Sequence, residues 1–244
     1  MAVGTIAKDW GKGEIHITTR QGIEVPWITF GDLKEVTRIL DEVGTPPGSC
    51  GPRVRNVSSC VGLPRCSQAL ADSRELAKKI DERFFNVVLP TKLKIAVSAC
   101  PNSCAKPQVN DLGVVAVAQP RIDPDSCDAC GKCVRACKEG AIKVVDDVPR
   151  IDYASCVNCG DCVRVCPLGA NVFGRTGYTV YVGGNVGRHP RLAYKLMDFA
   201  DEETVLRVFR NAVALIEDEC ERGERFGHLI ERLGLGASLS RLLS

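Results

Sequence analysis

Twelve of the fourteen cysteines in this 244-residue chain fall into three groups of four. Two groups are runs with the spacing C-x2-C-x2-C-x3-C, and the third is split into a C-x5-C pair and a later C-x3-C pair. The groups are Cys127, Cys130, Cys133 and Cys137; Cys156, Cys159, Cys162 and Cys166; and Cys60, Cys66, Cys100 and Cys104. Thiolates are soft ligands, and each cubane iron–sulfur cluster takes four of them. The sequence therefore predicts three 4Fe–4S clusters and a role in moving electrons.

Other uses of so many cysteines are less consistent with the chain. Disulfide frameworks belong mainly to small secreted domains, and the doubled four-cysteine spacing argues against zinc. The first ten residues lack a basic segment followed by an apolar run, so we expect no signal peptide. No stretch approaches the length of a membrane-spanning apolar helix, and the net charge of +2 favours no nucleic-acid partner. We expect a cytoplasmic protein.

Hydrophobic periodicity and turn residues give a provisional order of elements. Asp32 is the expected N-cap of the first helix, with Glu35 completing an approximate capping box, and Gly44 ends that helix. Strands are predicted over 14–19, 93–97, 112–118 and 178–182, an extended piece over 23–29, and later helices over 67–83, 202–222 and 226–233. The last of these helices is expected to end the fold.

The character of the chain changes at about residue 120. Residues 120–170 carry both cysteine runs in two similar halves, and the strand over 178–182 resumes the earlier pattern. This order predicts an α+β fold with a bacterial-type two-cluster ferredoxin domain inserted at 120–170. The parts outside the insert are a first half-domain at 1–50 and a main domain formed by 51–119 and 171–244.

In two-cluster ferredoxins the fourth cysteine of each run ligates the other cluster. The expected ligand sets are therefore Cys127, Cys130, Cys133 and Cys166, and Cys156, Cys159, Cys162 and Cys137. Crossed ligation ties two loops into one small unit that has little apolar surface of its own to bury. The insert identifies electron transfer but no particular chemistry.

The split quartet and several motifs around it resemble the siroheme-dependent sulfite and nitrite reductase family. The motifs are Thr18-Thr19-Arg20-Gln21-Gly22-Ile23, Arg55-Asn56-Val57, Leu89-Pro90-Thr91-Lys92-Leu93-Lys94 and Tyr181-Val182-Gly183-Gly184-Asn185. The resemblance covers roughly residues 10–235, and the insert is typical of the dissimilatory and anaerobic branches. The first half-domain is then the family's ferredoxin-like half-domain.

The resemblance implies a siroheme coupled to the split-quartet cluster through the sulfur of Cys104. It also implies that the side chains of Arg20, Arg55, Lys92 and Lys94 bind the substrate anion. A polycarboxylate macrocycle needs further cations and amide donors. The candidates are Arg53, Arg65, Asn102, Lys106, Gly183, Gly184, Asn185 and Arg188, with Arg191 and His189 as further neighbours.

Structural explanations compete with these roles. Single arginines and lysines are usually solvated surface groups, and the glycine-rich segment at 183–187 could be an ordinary tight turn. That segment lacks the spacing of a dinucleotide-binding fingerprint. Cys220 lies in an apolar helical pattern and is predicted to belong to the core. Cys50 has no predicted role.

Many members of the family contain two copies of the core unit, whereas this chain contains one. A homodimer could place the basic residues of one subunit in the site of the other, and this is the arrangement that we expect. The alternative is a subunit of a larger mixed complex. No nicotinamide or flavin fold is evident, so the expected electron donor is another protein or a small carrier.

The function implied is the six-electron reduction of sulfite to sulfide. The basic residues alone do not distinguish sulfite from nitrite, whose reduction to ammonia takes the same number of electrons. A third alternative is a non-catalytic electron carrier with a plain cluster in the split quartet and no tetrapyrrole.

Overall fold

The computed structural model describes residues 1–244 and divides into two units, Met1–Cys50 and Gly51–Ser244. The first unit contains helix α1 (Ala2–Trp10), the antiparallel strands β1 (His16–Ile17) and β2 (Ile23–Glu24), and helix α2 (Leu33–Glu42). In chain order the second unit contains β3 (Ser58–Ser59), α3 (Ser73–Phe84), β4 (Ile95–Ser98), β5 (Leu112–Ile122), α4 (Lys132–Ala136), β6 (Ile142–Val145), β7 (Val148–Ile151), α5 (Asp161–Arg164), β8 (Asn171–Val182), β9 (Tyr194–Ala200), α6 (Glu202–Glu219), α7 (Phe226–Leu233) and α8 (Leu235–Leu243).

The first unit corrects several local predictions. The extended strand expected over 14–19 is cut to two residues, because the Thr18 hydroxyl accepts the backbone N–H groups of Arg20 and Gly22 and forms a turn. The capping box is also wrong: the Asp32 carboxylate accepts the Thr29 hydroxyl at 2.6 Å and no helical N–H. Helix α1 was not predicted.

Five strands of the second unit form one sheet in the order β3-β4-β5-β8-β9. The first three strands run parallel, and β8 and β9 are each antiparallel to the strand before them in that order. The main core contains Val114 of β5, Val180 of β8 and Phe209 of α6, which are completely buried. It also includes residues of α3 and α7. The fold is mixed α and β, with helices packed on an apolar sheet face.

Two of the helices that pack on this sheet, α3 and α6, have N-caps that the sequence encodes. The Asp72 carboxylate accepts the N–H groups of Arg74 and Glu75 at the start of α3. The Asp201 carboxylate accepts the N–H of Thr204 at 2.8 Å at the start of α6. Each carboxylate satisfies amide groups that a helix leaves unpaired at its beginning.

Strands β5 and β8 pair from Leu112 opposite Val182 to Ile122 opposite Asn171. Residues 123–170, called the insert below, connect the far ends of these two strands. The insert contains the β6–β7 hairpin and the short helices α4 and α5. Both β5 and β8 are longer than the predicted strands 112–118 and 178–182, and a register shift between Gln119 and Pro120 accommodates the proline.

Two elements near the end of the chain were missed by the sequence analysis. Strand β9 pairs with β8 through two register shifts, so its apolar residues do not alternate regularly. Helix α8 follows α7 directly, so the expectation that the fold ends with the helix over 226–233 is wrong. No helix of the structure combines the length and the apolar character that are needed to cross a lipid bilayer.

Candidate functional site

The two pairs of the split quartet follow the ends of neighbouring parallel strands. Strand β3 leads into Cys60, and β4 leads through Ala99 into Cys100. Ser59 pairs with Val97, so these two strands deliver their cysteines to the same edge of the sheet. The Ala99 N–H donates a hydrogen bond to Cys60 Sγ at 3.1 Å, which joins the two pairs directly.

The four thiols of the split quartet lie within electrostatic reach of one another. Burial raises the pKa of the Cys100 thiol, and the thiols of Cys60, Cys104 and Cys66 raise it further. Cys100 is buried and Cys104 is exposed, with the other two between these extremes. The quartet is therefore anchored on the protein side and open on the side of Cys104.

Amino-terminal to the same strands, the structure brings four predicted basic residues together. The Arg55 N–H donates to the Leu93 carbonyl at 2.9 Å, and the Leu93 N–H donates to the Arg53 carbonyl at 3.0 Å. Val54 and Leu93 pair and are both buried in the core, so their sequence neighbours face the opposite side. That set, called the basic ridge, is Arg53, Arg55, Lys92 and Lys94.

The basic ridge and the quartet lie toward opposite ends of one pair of chain segments. Arg55 precedes Cys60 by five residues, and Lys94 precedes Cys100 by six. Extended backbone advances about 3.3 Å per residue, so each separation is at most about 16–20 Å. Within one chain, the basic ridge therefore lies before the two strands and the quartet lies after them, so the two groups do not form one compact site.

A buried ion pair supports the ridge from behind. The Asp111 carboxylate has no exposed surface, and it accepts the Lys94 N–H at 2.8 Å and the Arg225 Nη2 at 2.6 and 2.7 Å. Burial raises the pKa of Asp111, and the Arg225 guanidinium opposes that rise. The sequence analysis missed this pair because its partners are 114 positions apart and belong to no motif.

The glycine-rich segment is explained in part by packing within the protein. The Gly183 N–H donates to the Asp111 carbonyl at 2.7 Å, and Gly183 has a positive φ of 83°. A Cβ on Gly184 would stand 2.6 Å from the Gln108 carbonyl oxygen and 2.7 Å from that of Asn110. These glycines are required by close backbone contacts, whatever else approaches the segment.

The hairpin after these glycines engages one of the predicted cations. Asn185 and Arg191 exchange backbone hydrogen bonds at 3.0 and 2.9 Å, and Asn185 Nδ2 donates to the His189 carbonyl. Arg191 donates to the Gly227 carbonyl at 2.8 Å and to Glu231 at 2.7 Å. Arg191 was expected to be available to a cofactor, but it is held in a structural ion pair.

The remaining predicted site residues lie in several parts of the chain. Arg20 is half-buried in the first unit. Arg65, Asn102, Lys106 and Arg188 are exposed, the first three in the loops that carry the quartet. Cys50 is exposed. Cys220 is half-buried against the core, directly after α6 and not within it.

The two cysteine runs of the insert come together in crossed sets. The cavity that contains Cys127, Cys130 and Cys133 in its lining also contains Cys166. Burial raises the pKa of the Cys159 thiol, and among the thiols that raise it further are those of Cys156 and Cys137. The fourth cysteine of each run thus lies with the first three of the other run, and ligation by these sets remains a prediction.

A repeated turn precedes each run. The Ser126 hydroxyl donates to Asp123 at 2.6 Å, and the Ser155 hydroxyl donates to Asp152 at 2.7 Å. Helices α4 and α5 then each begin after a glycine with positive φ. The sequence carries this signal as Asp-x-x-Ser-Cys, repeated at residues 123–127 and 152–156.

The described residues contain no group of three or more His, Cys, Asp or Glu side chains that is placed to hold one metal ion. In a cubane cluster each thiolate binds a different iron atom, so the four sulfurs stand further apart than around a single ion. The spacing of the cysteine sets is compatible with such clusters.

Helix α5 links the insert to the split quartet. Arg164 Nη1 donates to the Cys159 carbonyl at 2.9 Å and to Asp161 at 3.0 Å, and Arg164 Nη2 donates to the Gln68 carbonyl at 2.9 Å. Gln68 lies two residues after Cys66. The second run is therefore bonded to the loop that carries one cysteine of the quartet.

A cleft of about 440 Å³ lies between the insert and the sheet face opposite the main core. Its lining includes Cys156 and Cys159 of the second run, Asn102 of the C-x3-C loop, and Tyr181 of β8. The cleft thus borders both the insert and the split quartet.

Clustered thiols follow two parallel strands, and basic residues precede the same strands. This arrangement is typical of an iron–sulfur oxidoreductase. Residues 50–242 match the nitrite and sulphite reductase 4Fe-4S domain, and residues 1–43 match the nitrite/sulfite reductase ferredoxin-like half domain. The chain belongs to the nitrite and sulfite reductase family. The family expected from the sequence is confirmed.

Similar proteins come from archaea and bacteria. The Coenzyme F420-dependent sulfite reductase of Methanocaldococcus jannaschii is 36% identical over 97% of this chain, which spans 38% of that protein. Uncharacterized protein MJ0551 of the same organism is 39% identical over 88% of this chain and 75% of its own length. One subunit of the anaerobic sulfite reductase of Salmonella typhimurium is 33% identical over 56% of this chain and 44% of its own length.

Solved structures confirm the fold. The crystal structure of dissimilatory sulfite reductase I matches 99% of this chain and 64% of its own chain, with a TM-score of 0.79 and 20% identity. The NirA protein of Mycobacterium tuberculosis matches 99% of this chain and 36% of its own, with a TM-score of 0.67 and 19% identity. The inserted ferredoxin domain remains a prediction.

Proposed function

We propose that this protein is a siroheme and 4Fe–4S reductase that carries out the six-electron reduction of sulfite to sulfide. The observation that carries this proposal is that the basic ridge precedes, and the four-thiol quartet follows, the same two strands. Thiols alone would be consistent with an electron carrier, whereas an electron carrier has no need of four aligned cations. The relatives named as sulfite reductases support the choice of substrate.

The residues present fit the two groups that the family implies. Four mutually close thiols with an N–H donor at Cys60 Sγ match the needs of a 4Fe–4S cluster. Arginine and lysine are the donors that a polycarboxylate macrocycle requires. Siroheme, when bound, supplies the iron centre at which the anion is reduced. Cys104, the exposed quartet member, is the thiolate that would face it.

The basic residues bind the anion and stabilise its charge. Arg55 is held by its own backbone pairing and by a 3.3 Å hydrogen bond from its Nη1 to the Gly51 carbonyl. Lys94 is fixed at its backbone by Asp111. Preorganised cations lower the energy of negative charge that develops during reaction, without reorganising as it forms. Lys92 and Lys94 are ammonium groups that can also deliver the protons with which oxygen leaves as water.

The insert holds the cysteine sets whose clusters, when bound, would supply electrons to the quartet. The set that contains Cys137 and Cys159 borders the cleft and is joined to the quartet loop by Arg164. The set that contains Cys127 and Cys130 lines a separate cavity. We therefore assign the order from the Cys127 set to the Cys137 set and then to the split quartet, with a protein or small carrier as donor.

A homodimer would complete the site. Because the basic ridge and the quartet of one chain are up to about 16–20 Å apart along the strands, one subunit can offer its ridge to the quartet of the other. A twofold axis gives two such shared sites. Membership of a larger complex is the alternative, and the relative named as a subunit supports considering it.

The first experiment is anaerobic purification from a host that makes siroheme. The proposal expects the sharp absorption bands of siroheme and about 13 iron atoms per chain, against about 12 for three clusters alone. Turnover of sulfite and nitrite with a reduced dye, measured side by side, then identifies the substrate. Broad iron–sulfur absorption without siroheme, and no turnover of either anion, would contradict the proposal.

Shared sites have a separate test. Arg55→Ala and Cys104→Ala chains are each expected to be inactive, and mixing them is expected to restore part of the activity in heterodimers. Arg210→Ala, which removes an exposed arginine from α6, is the matched control and is expected to stay active. Confirmed heterodimers without recovered activity would show that each chain uses its own ridge.

Nitrite is the second candidate substrate. The assimilatory ferredoxin-dependent nitrite reductase of Haloferax mediterranei is 28% identical over 89% of this chain. Its name supports nitrite as the anion and ferredoxin as a class of donor. Faster turnover of nitrite than of sulfite in the side-by-side assay would establish this candidate in place of the first.

A further inference from the structure

Asn171 is a buried carboxamide without a hydrogen-bond partner. It is the first residue of β8 and is 3% exposed. Neither its Oδ1 nor its Nδ2 forms a hydrogen bond in the structure. Leaving a buried polar group unsatisfied destabilises a folded protein, so this carboxamide is expected to have a partner that the polypeptide alone does not supply.

The position of Asn171 identifies that partner. Asn171 lines the cavity of the Cys127 set, and its side chain lies against the thiol of Cys162, which belongs to the other set. Its backbone N–H is one of several that face Cys166. Asn171 therefore stands between the two cysteine sets of the insert.

A ligated thiolate changes what the carboxamide can do. The Asn171 side chain lies within hydrogen-bonding reach of the Cys162 thiol. A thiol is a weak acceptor, whereas a thiolate bound to iron is negatively charged and accepts an amide N–H strongly. Hydrogen bonds to cluster sulfurs are among the features that set the reduction potential of a cluster.

We propose that Asn171 Nδ2 donates a hydrogen bond to the Cys162 thiolate and raises the reduction potential of the cluster held by the Cys137 set. The inference rests on the iron–sulfur part of the proposed function and is independent of the substrate. Electrons pass spontaneously from a lower to a higher potential. A higher potential at the cluster of the Cys137 set would favour electron transfer to it from the cluster of the Cys127 set.

The test is a redox titration of the purified protein followed by electron paramagnetic resonance. Asn171→Leu removes the donor and keeps a side chain that branches at Cγ, and Asn171→Ser keeps a hydroxyl donor. In the leucine variant the reduced-to-oxidised ratio of one insert cluster, at fixed potential, is expected to fall about tenfold, which is about 59 mV for one electron. The serine variant is expected to fall between it and the wild type.

The matched control is Asn211→Leu, which removes an amide from α6 that bonds to the Leu242 carbonyl and touches no cluster. It is expected to leave all potentials unchanged. Pulsed resonance of protein labelled with 15N only at the asparagine side-chain amides gives a second measurement that needs no change in potential, and this labelling leaves out the Asn158 backbone N–H that bonds to Cys156 Sγ. A nitrogen coupling to an insert cluster is expected in the wild type and lost in both Asn171 variants.

Unchanged potentials in both Asn171 variants, with iron content retained, would overturn the inference, and so would the absence of a nitrogen coupling from the wild type. If a variant loses a cluster, the labelled wild-type protein still shows whether a side-chain amide nitrogen couples to an insert cluster. A wild-type protein that binds no clusters in the insert would overturn both this inference and the electron route proposed above. If the reduction potential shifts in the Asn171 variants but the protein turns over neither sulfite nor nitrite, the inference about Asn171 stands and the proposed substrates are wrong.

Discussion

Removing the Asp111 carboxylate is expected to destabilise the protein more than any change to a surface ion pair. The Asp111→Ala variant leaves Arg225, which is 16% exposed at its side chain, without its anionic partner. It also leaves the Lys94 N–H without its 2.8 Å acceptor. Breaking a buried pair from one side costs about 3–5 kcal/mol, because the remaining charge is desolvated and unpaired.

The size of this effect can be expressed as a thermal midpoint. For a chain of this length about 1 kcal/mol corresponds to about 2–4 °C, so the Asp111→Ala variant is expected to unfold about 6–20 °C lower. A double variant, Asp111→Leu with Arg225→Met, removes both charges and is expected to regain much of that loss. Activity in the single variant is expected to fall as well, because Lys94 loses the bond that fixes its backbone.

The assay is anaerobic thermal unfolding, followed by circular dichroism at matched cluster content. The control is Glu42→Gln, which breaks an exposed pair with Arg38 and is expected to change the midpoint little. A midpoint for Asp111→Ala that matches the control would refute the reasoning. So would a double variant whose loss equals the sum of the two single losses, since that would show no coupling between the charges.

Two further expectations concern the region around helices α7 and α8. A Cβ on Gly227 would overlap the Gly183 carbonyl, so Gly227→Ala is expected to reduce the free energy of unfolding by about 1–3 kcal/mol and to lower the thermal midpoint. Gly236→Ala in α8 meets no atom within 4 Å and is expected to raise it slightly; equal effects would contradict the steric argument. Arg232 holds the pKa of Glu224 at about 2. Glu224→Gln is therefore expected to lower the midpoint equally between pH 8 and 5, with the difference narrowing below about pH 4.5 as the unfolded carboxyl becomes protonated. A difference that widens as the pH falls would contradict this pairing.

Features encoded by local spacing could be predicted from the sequence. The crossed grouping of Cys137 with the second run follows from a spacing of a few residues, and the structure places these thiols together. Three members of the basic ridge, Arg55, Lys92 and Lys94, were predicted from short motifs, and Arg53 was predicted as a further cation near one of them. Its alignment opposite Val54 and Leu93 depends on strand pairing between distant segments, which no motif encodes.

Features that depend on long-range partners could not be predicted. Asp111 is a single carboxylate before an apolar strand, and its role appears only when Arg225 is folded against it. The domain boundary expected at residue 120 falls within β5, because the register shift beside Pro120 lets the strand continue to Ile122. Asn171 carries no sequence signal, since its importance comes from burial between two cysteine sets.

The pairing of Ile122 with Asn171 makes the insert a module. Residues directly opposite in an antiparallel pair have Cα atoms about 4.5–5.5 Å apart, so the two ends of residues 123–170 nearly meet. A segment whose ends nearly meet can be exchanged for a short turn or for another electron-carrying unit without altering the register of the sheet. The fold therefore separates the cysteine-rich insert from the main domain, and either could change during evolution while the other is kept.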